Sequence, residues 1–122
     1  MMVRFHCERA GRKNARKAKH KVLDTCANLK KVLSLNPDYG VLIPGKEGLR
    51  KMRLMVPGLN TGKSGGYRLI YRAEIIDEVW HIIFLKTYFK GDRDDLTSSE
   101  YKEMLHLSEE IFANPFEFEW ED

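Results

Sequence analysis

Cysteine is scarce in this chain of 122 residues: only Cys7 and Cys26 occur, with no Cys-x-x-Cys spacing and no ordered Cys/His set. Neither a disulfide framework nor a zinc site is therefore expected. Cys26 falls on the apolar stripe of a predicted helix and reads as a small buried hydrophobe. Long apolar runs are missing as well. The longest, Val79 to Leu85, is interrupted by His81 and falls far short of the ~20 residues that span a bilayer. The opening MMVRFHCERAGRK lacks the apolar segment of an export signal, so a soluble cytoplasmic protein with no membrane partner is expected. Histidines do not cluster: His20 and His106 fall on predicted helix surfaces, and His81 sits mid-strand, where a hydrogen-bonded sheet residue is a better reading than a base. No internal repeat is present.

What is present is a chain 43% hydrophobic, enough for one domain over residues 1–122 to bury a core without disulfides or metal. The net charge of +3 conceals a polarity. Residues 1 to 72 hold 17 of the 21 Lys and Arg and 4 of the 18 Asp and Glu, a net of +13; the remaining residues hold 4 bases and 14 acids, a net of −10. Such asymmetry bears on nucleic-acid or acidic partners, not on fold. For the helical part alone, a solvated basic surface explains it as well.

Val3 to His6 reads as a short edge strand, and Arg12 to Leu35 as one long helix or two short ones. Ala18, Val22, Cys26, Leu29 and Leu33 form its apolar stripe. Asn36-Pro37 ends the helix, because the residue before proline avoids helical geometry. Gly48 to Val56, Gly65 to Glu74 and Glu78 to Lys90 alternate as strands, with short connections that favour antiparallel neighbours. Thr97-Ser98-Ser99-Glu100 spells a capping box, and Tyr101, Met104, Leu105, Ser108, Ile111 and Phe112 continue a helical stripe that ends before Pro115. The tail ANPFEFEWED alternates Phe116, Phe118 and Trp120 with acids. It suits either a strand added to a sheet edge or across the basic patch, or a frayed, partly docked terminus.

The three strands place cations at alternate positions. Leu49, Lys51, Arg53 and Met55 share one side of the first, with Met52, Leu54 and Val56 opposite as a core face. Arg68, Ile70 and Arg72 share a side of the second. Trp80, Ile82, Phe84, Lys86, Tyr88 and Lys90 share a side of the third. Three strands then feed one cationic patch, a surface for a polyanion. Between the first two lies PGLNTGKS, close to a phosphate loop. It fails on spacing, with Pro57 where a glycine belongs, and on context, since strand-like GGYRLIYR follows instead of a helix. Asp92, Asp94 and Asp95 look like a metal cluster, but a polar turn leading into the helix explains them better, and no metal is expected.

The ordered set GLRKMRL, GKSGGYRLIYR and TYFKGDRDDLT resembles the RelE/HigB family of toxins from bacterial type II toxin-antitoxin systems, within the RelE/ParE superfamily. The similarity runs from about Leu35 to the helix after Leu96, roughly half the chain. It implies an α+β fold: a twisted, mostly antiparallel sheet of three or four strands, basic amino-terminal helices on one face, and a helix after the last strand. It also implies a ribosome-dependent messenger RNA endonuclease without a cofactor, with an antitoxin protein, the ribosome and messenger RNA as partners. Gly66 to Tyr71 matches the family's G-x-R-[IVL]-x-Y pattern, whose arginine, here Arg68, is catalytic and contacts phosphate. Lys51 and Arg53 match a basic pair on the preceding strand, and Tyr88 and Lys90 match the Tyr-x-Lys ending of the last long strand.

On this resemblance Arg68, Lys51, Tyr88 and Lys90 are the catalytic candidates. Arg53, Lys63, Arg72, Lys86 and Arg93 are candidates for RNA contact. The chemistry requires no metal: the RNA 2′-hydroxyl attacks its own phosphate, and cations stabilise the charge that develops. The sequence assigns no general base; Tyr88 or a lysine of depressed pKa suits that role. A ParE-like toxin that inhibits DNA gyrase, and a non-catalytic RNA-binding module, are the alternatives.

Overall fold

Period-two alternation carries residues 49 to 89 into three long strands. These strands dominate a computed structural model that describes residues 2–7, 22–54, 66–91 and 93–118. They are β3 (Leu49–Leu54), β4 (Tyr67–Ile76) and β5 (Val79–Phe89), paired antiparallel in sequence order. The β4–β5 hairpin turns on Asp77 and Glu78, with φ of 50° and 66°. Two successive positive φ values suit a two-residue turn whose twist matches that of its strands. Two short strands complete the sheet: β1 (Val3–Cys7) runs parallel to β5, and β2 (Val41–Leu42) antiparallel to β3. The order is β1-β5-β4-β3-β2. Five strands thus replace the three or four expected, because two residues are too few for β2 to show an alternation.

Helix α1 (Val22–Leu35) stops where Asn36-Pro37 forbids continuation; its expected beginning at Arg12 lies outside the described residues. Helix α2 (Ser98–Ala113) starts at the capping box read from the sequence. The Thr97 hydroxyl accepts from the Glu100 N–H at 3.1 Å, and Glu100 Oε1 accepts from the Thr97 N–H at 2.9 Å. The helix closes at Asn114. Pro115–Phe118 then forms a 3₁₀ turn against β1, so of the two readings of the tail these four residues are docked and are not a strand. This turn lies at the β1 edge, the far side of the sheet from β2.

The two faces bury separate cores. On one, Leu29 and Leu33 of α1 join Cys7, Met52, Leu54, Leu69, Tyr71, Ile82 and Phe84. On the other, Leu49, Ile70 and Tyr88 meet Leu96, Tyr101 and Met104 around α2. Leu33, Leu69 and Ile82 are at most 1% exposed, and each contributes roughly 1.5–3 kcal/mol of burial.

One irregularity decides which β5 residues belong to which face. Ile70 opposes Lys86, but Tyr71 opposes Phe84, so Leu85 is an extra residue in β5. The shift corrects the uninterrupted alternation expected from Trp80 to Lys90. Ile82 and Phe84 join the α1-side core, whereas Tyr88, with Lys86 in step with it, lies on the α2 side.

Tyr71 ties the connection after α1 to the sheet. Its hydroxyl accepts from the Gly40 N–H at 2.7 Å and donates to the Pro37 carbonyl at 3.0 Å. Gly40 is required by this approach, since a Cβ there would lie 2.7 Å from the tyrosine ring. Burial raises the Tyr71 pKa, so the hydroxyl keeps its proton for Pro37. Among the described residues no helix is long and apolar enough to cross a membrane. Replacing Tyr71 by Phe leaves the buried Gly40 N–H without its acceptor and is expected to lower stability by about 1–3 kcal/mol. Urea unfolding of the purified variant, with the slope unchanged, measures that loss.

Candidate functional site

Cross-strand register assembles the cations that the sequence spreads over residues 51 to 88. Arg53 on β3 opposes Arg68 on β4, and Arg68 opposes Tyr88 on β5. These three form one row across the α2-side face, with directly opposed side chains ~5 Å apart at Cβ. The next row is Lys51, Ile70 and Lys86. Lys51 reaches diagonally between the rows: its Nζ sits 5.9 Å from the Tyr88 ring centroid. Two arginines in direct opposition repel, and among the described residues Arg53 has no carboxylate partner. Gly66 lies alongside this row, where a Cβ would stand at ordinary contact distance, 3.4 Å from Arg68 Nη1 and 3.8 Å from Arg53 Cγ. Beside the rows opens a groove of about 320 Å³, with an apolar wall of Val41, Leu42, Ile43 and Pro44 and a cationic side of Lys51, Arg53 and Arg68.

The acidic half of the chain returns to this face through the turn before α2. Asp95 Oδ1 accepts from Lys51 Nζ at 3.3 Å, from the Tyr101 hydroxyl at 2.6 Å and from the Leu96 N–H at 2.8 Å. Glu100 pairs with Arg93 and, at 3.3 Å, with Lys86. Arg72 is drawn into the α2 contact: it donates to Ser108 Oγ at 2.9 Å, pairs with Glu109 at 2.6 Å and Glu74 at 3.3 Å, and lies 5.0 Å over the Phe112 ring. Its guanidinium therefore fastens β4 to α2. Lys90 follows β5 and hydrogen-bonds through its N–H to the Gly66 carbonyl at 2.9 Å, so it sits beside the arginine row. Lys63 lies outside the described residues, as does the loop that carries it.

The electrostatics separate donors from acceptors. Partial burial pulls the Lys51 pKa down, but a hydrogen bond and charge interaction with Tyr88, followed by Asp95 and Tyr101, outweigh it and leave the ammonium above its ordinary value. Lys51 is therefore held as a charged donor. Burial, then the bond to Asp95, raises Tyr101 to about 12. Asp95 is held below the ordinary carboxylate value, first by Tyr101, with burial opposing, and then by the Leu96 N–H and Lys51.

His81 is buried, and its Nδ1 lies 2.8 Å from His6 Nε2 across β1 and β5, with the rings stacked at 5.0 Å. It is a hydrogen-bonded sheet histidine, as its mid-strand position suggested. Among the described residues no three or more His, Cys, Asp or Glu side chains converge as metal ligands.

Sequence reasoning missed Asp95, Tyr101 and Glu100 as neighbours of the cations. The available signal was the charge polarity itself, since a −10 half in a small fold has a +13 half as its nearest counter-charge.

No protein-family model matches the sequence. The structure is similar to that of a mutant of the E. coli toxin RelE in the free state, with a TM-score of 0.56 and 18% identity, over 87% of this chain and 97% of that one. At that identity the likeness concerns the fold: the chain has a RelE-like α+β fold, with a mostly antiparallel sheet between its helices.

The capping box also gives an acid-side signature. Glu100 falls from 4.5 to about 2, first through Arg93 and then the Thr97 N–H. A folded-state pKa below the unfolded one means stability that is present above the unfolded value and lost as pH falls through the folded one. Glu100→Gln preserves the cap geometry but removes the charge. Thermal unfolding should show the variant less stable than wild type at pH 6, with the gap closing as pH falls from 4.5 to about 2.

Proposed function

We propose that this protein is the toxin of a toxin-antitoxin system and cleaves messenger RNA on the ribosome without a metal. The observation that carries the reading is the row of Arg53, Arg68 and Tyr88 on one sheet face, with Lys51 reaching into it. Opposed arginines cost stability, and a phosphate bound between them converts that repulsion into charge-assisted hydrogen bonds. The RelE-like fold and the Gly66 to Tyr71 motif support the same assignment.

In this reading Arg68 and Lys51 hold the scissile phosphate. The RNA 2′-oxygen attacks the adjacent phosphorus, the bond to the 5′-oxygen breaks, that oxygen takes up a proton from solvent and leaves as a 5′-hydroxyl, and the 2′,3′-cyclic phosphate forms. Charge accumulates on the non-bridging oxygens, where a guanidinium and an ammonium placed beforehand stabilise it. Lys51, held charged, serves as a donor, and Tyr88 takes the role of moving the 2′-hydroxyl proton or stacking on a base. Arg53 and Lys90 orient the backbone on either side of Arg68, and the groove beside β2 receives the flanking nucleotide. Lys63, Lys86 and Arg93 add long-range attraction for RNA, while Arg72 contributes chiefly by anchoring α2. The ribosome supplies substrate orientation that a cationic face alone does not. The antitoxin, an acidic complement to this face, blocks it in the resting cell.

Primer extension on messenger RNA under translation by purified ribosomes tests this, with Arg68→Ala alongside wild type once circular dichroism shows both folded. Ribosome-dependent cuts by the wild type, reduced at least ~10²-fold in the variant, are expected. A folded wild type that makes no cuts removes the endonuclease reading and brings gyrase inhibition forward.

A further inference from the structure

We infer that Asp95 is a positioning residue that fixes the place of Lys51. This role rests on the proposed reading only for its consequence in RNA cleavage. A long lysine side chain loses rotamer entropy on being held, and Lys51 stands beside two arginines that repel it. Left alone, its ammonium would swing to solvent. One oxygen prevents that: Asp95 Oδ1 receives the Leu96 N–H, the Tyr101 hydroxyl and Lys51 Nζ together.

The first two donors make the carboxylate a fixed point. Leu96 is 7% exposed and Tyr101 3%, so the backbone donor and the phenol both belong to the core under α2. Lys46 Nζ lies 5.0 Å over the Tyr101 ring, closing its outer face. From this anchor the ion pair draws Lys51 toward the Tyr88 ring, itself 7% exposed. Asp95 has 61% of its side chain in solvent and Lys51 28%. The pair is thus accessible enough for an incoming phosphate to share the ammonium.

The substitution that isolates this role is Asp95→Asn, which keeps an oxygen acceptor for Leu96 and Tyr101 and removes the charge that holds the lysine. Tyr101→Phe is its companion, loosening Asp95 while leaving the Asp95 carboxylate and Lys51 in place. The first readout is independent of activity: a pH titration of the Lys51 ammonium by NMR in lysine-labelled protein, assigned with Lys51→Arg. The resonance should titrate lower in Asp95→Asn than in wild type; an unchanged titration overturns the inference. The second readout is single-turnover cleavage on programmed ribosomes. The maximal rate should fall between about 10- and 100-fold, with the half-saturating concentration unchanged or lower because the face gains a net positive charge. Parallel loss of rate and affinity, or loss of neither, overturns the role in cleavage. Should the wild type make no cuts, the functional reading fails, and the lysine titration alone decides whether Asp95 governs Lys51.

Discussion

The extra residue Leu85 in β5 sets the arrangement on which the rest of the structure depends. Up to Phe84 the strand sends Ile82 and Phe84 into the core under α1, and beyond the irregularity it sends Tyr88 to the face under α2. Without it, a period of two would keep all of them on one side. Either the α1-side core would lose two of its large side chains or the cation row would lose its tyrosine. Leu85 itself packs into the α2-side core, so the disrupted pairing is offset by burial. The bulge lets one strand serve a hydrophobic core at its amino-terminal half and a charged face at its carboxyl-terminal half.

That charged face is a balance between stability and use. Cations gathered on β3, β4 and β5 repel one another, and the chain answers with acids from a single turn and the first and last turns of α2. Asp95 takes Lys51, Glu100 takes Lys86 and Arg93, and Glu109 takes Arg72. These pairs are partly solvated and individually modest; their importance lies in placement. They neutralise part of the patch, and Arg53 and Arg68 stand opposed across β3 and β4 beside the groove. Among the described residues, part of the charge polarity is thereby met within the molecule, through Lys51 and Arg72.

The candidate site and the core are also mechanically joined. Tyr88 belongs to the α2-side core and to the arginine row, and Tyr101 belongs to that same core while anchoring Asp95. Lys51 therefore answers to the packing of α2 as much as to its own strand. Long cationic side chains lose considerable entropy when held, and a site made of them has to borrow its rigidity from neighbours that are already buried.

Local pattern was enough for much of this. The capping box at Thr97 to Glu100, the proline stop after α1, the shared face of Lys51, Arg53, Arg68 and Arg72, and the sheet role of His81 all follow from interactions within a few residues or from the alternation of a pleated strand. The two-residue β2, the extra residue in β5, the 3₁₀ turn at Pro115–Phe118 and the meeting of Asp95 with Lys51 do not. Each depends on what lies across a sheet or beneath a helix, at separations where one sequence carries no signal of distance. By itself the sequence determined where α1 stops, where α2 begins, and that the charge is divided between two halves. Only the tertiary structure decided the register between β4 and β5 and the approach of α2. Register and approach are set by the joint burial of two cores, a property of no single segment.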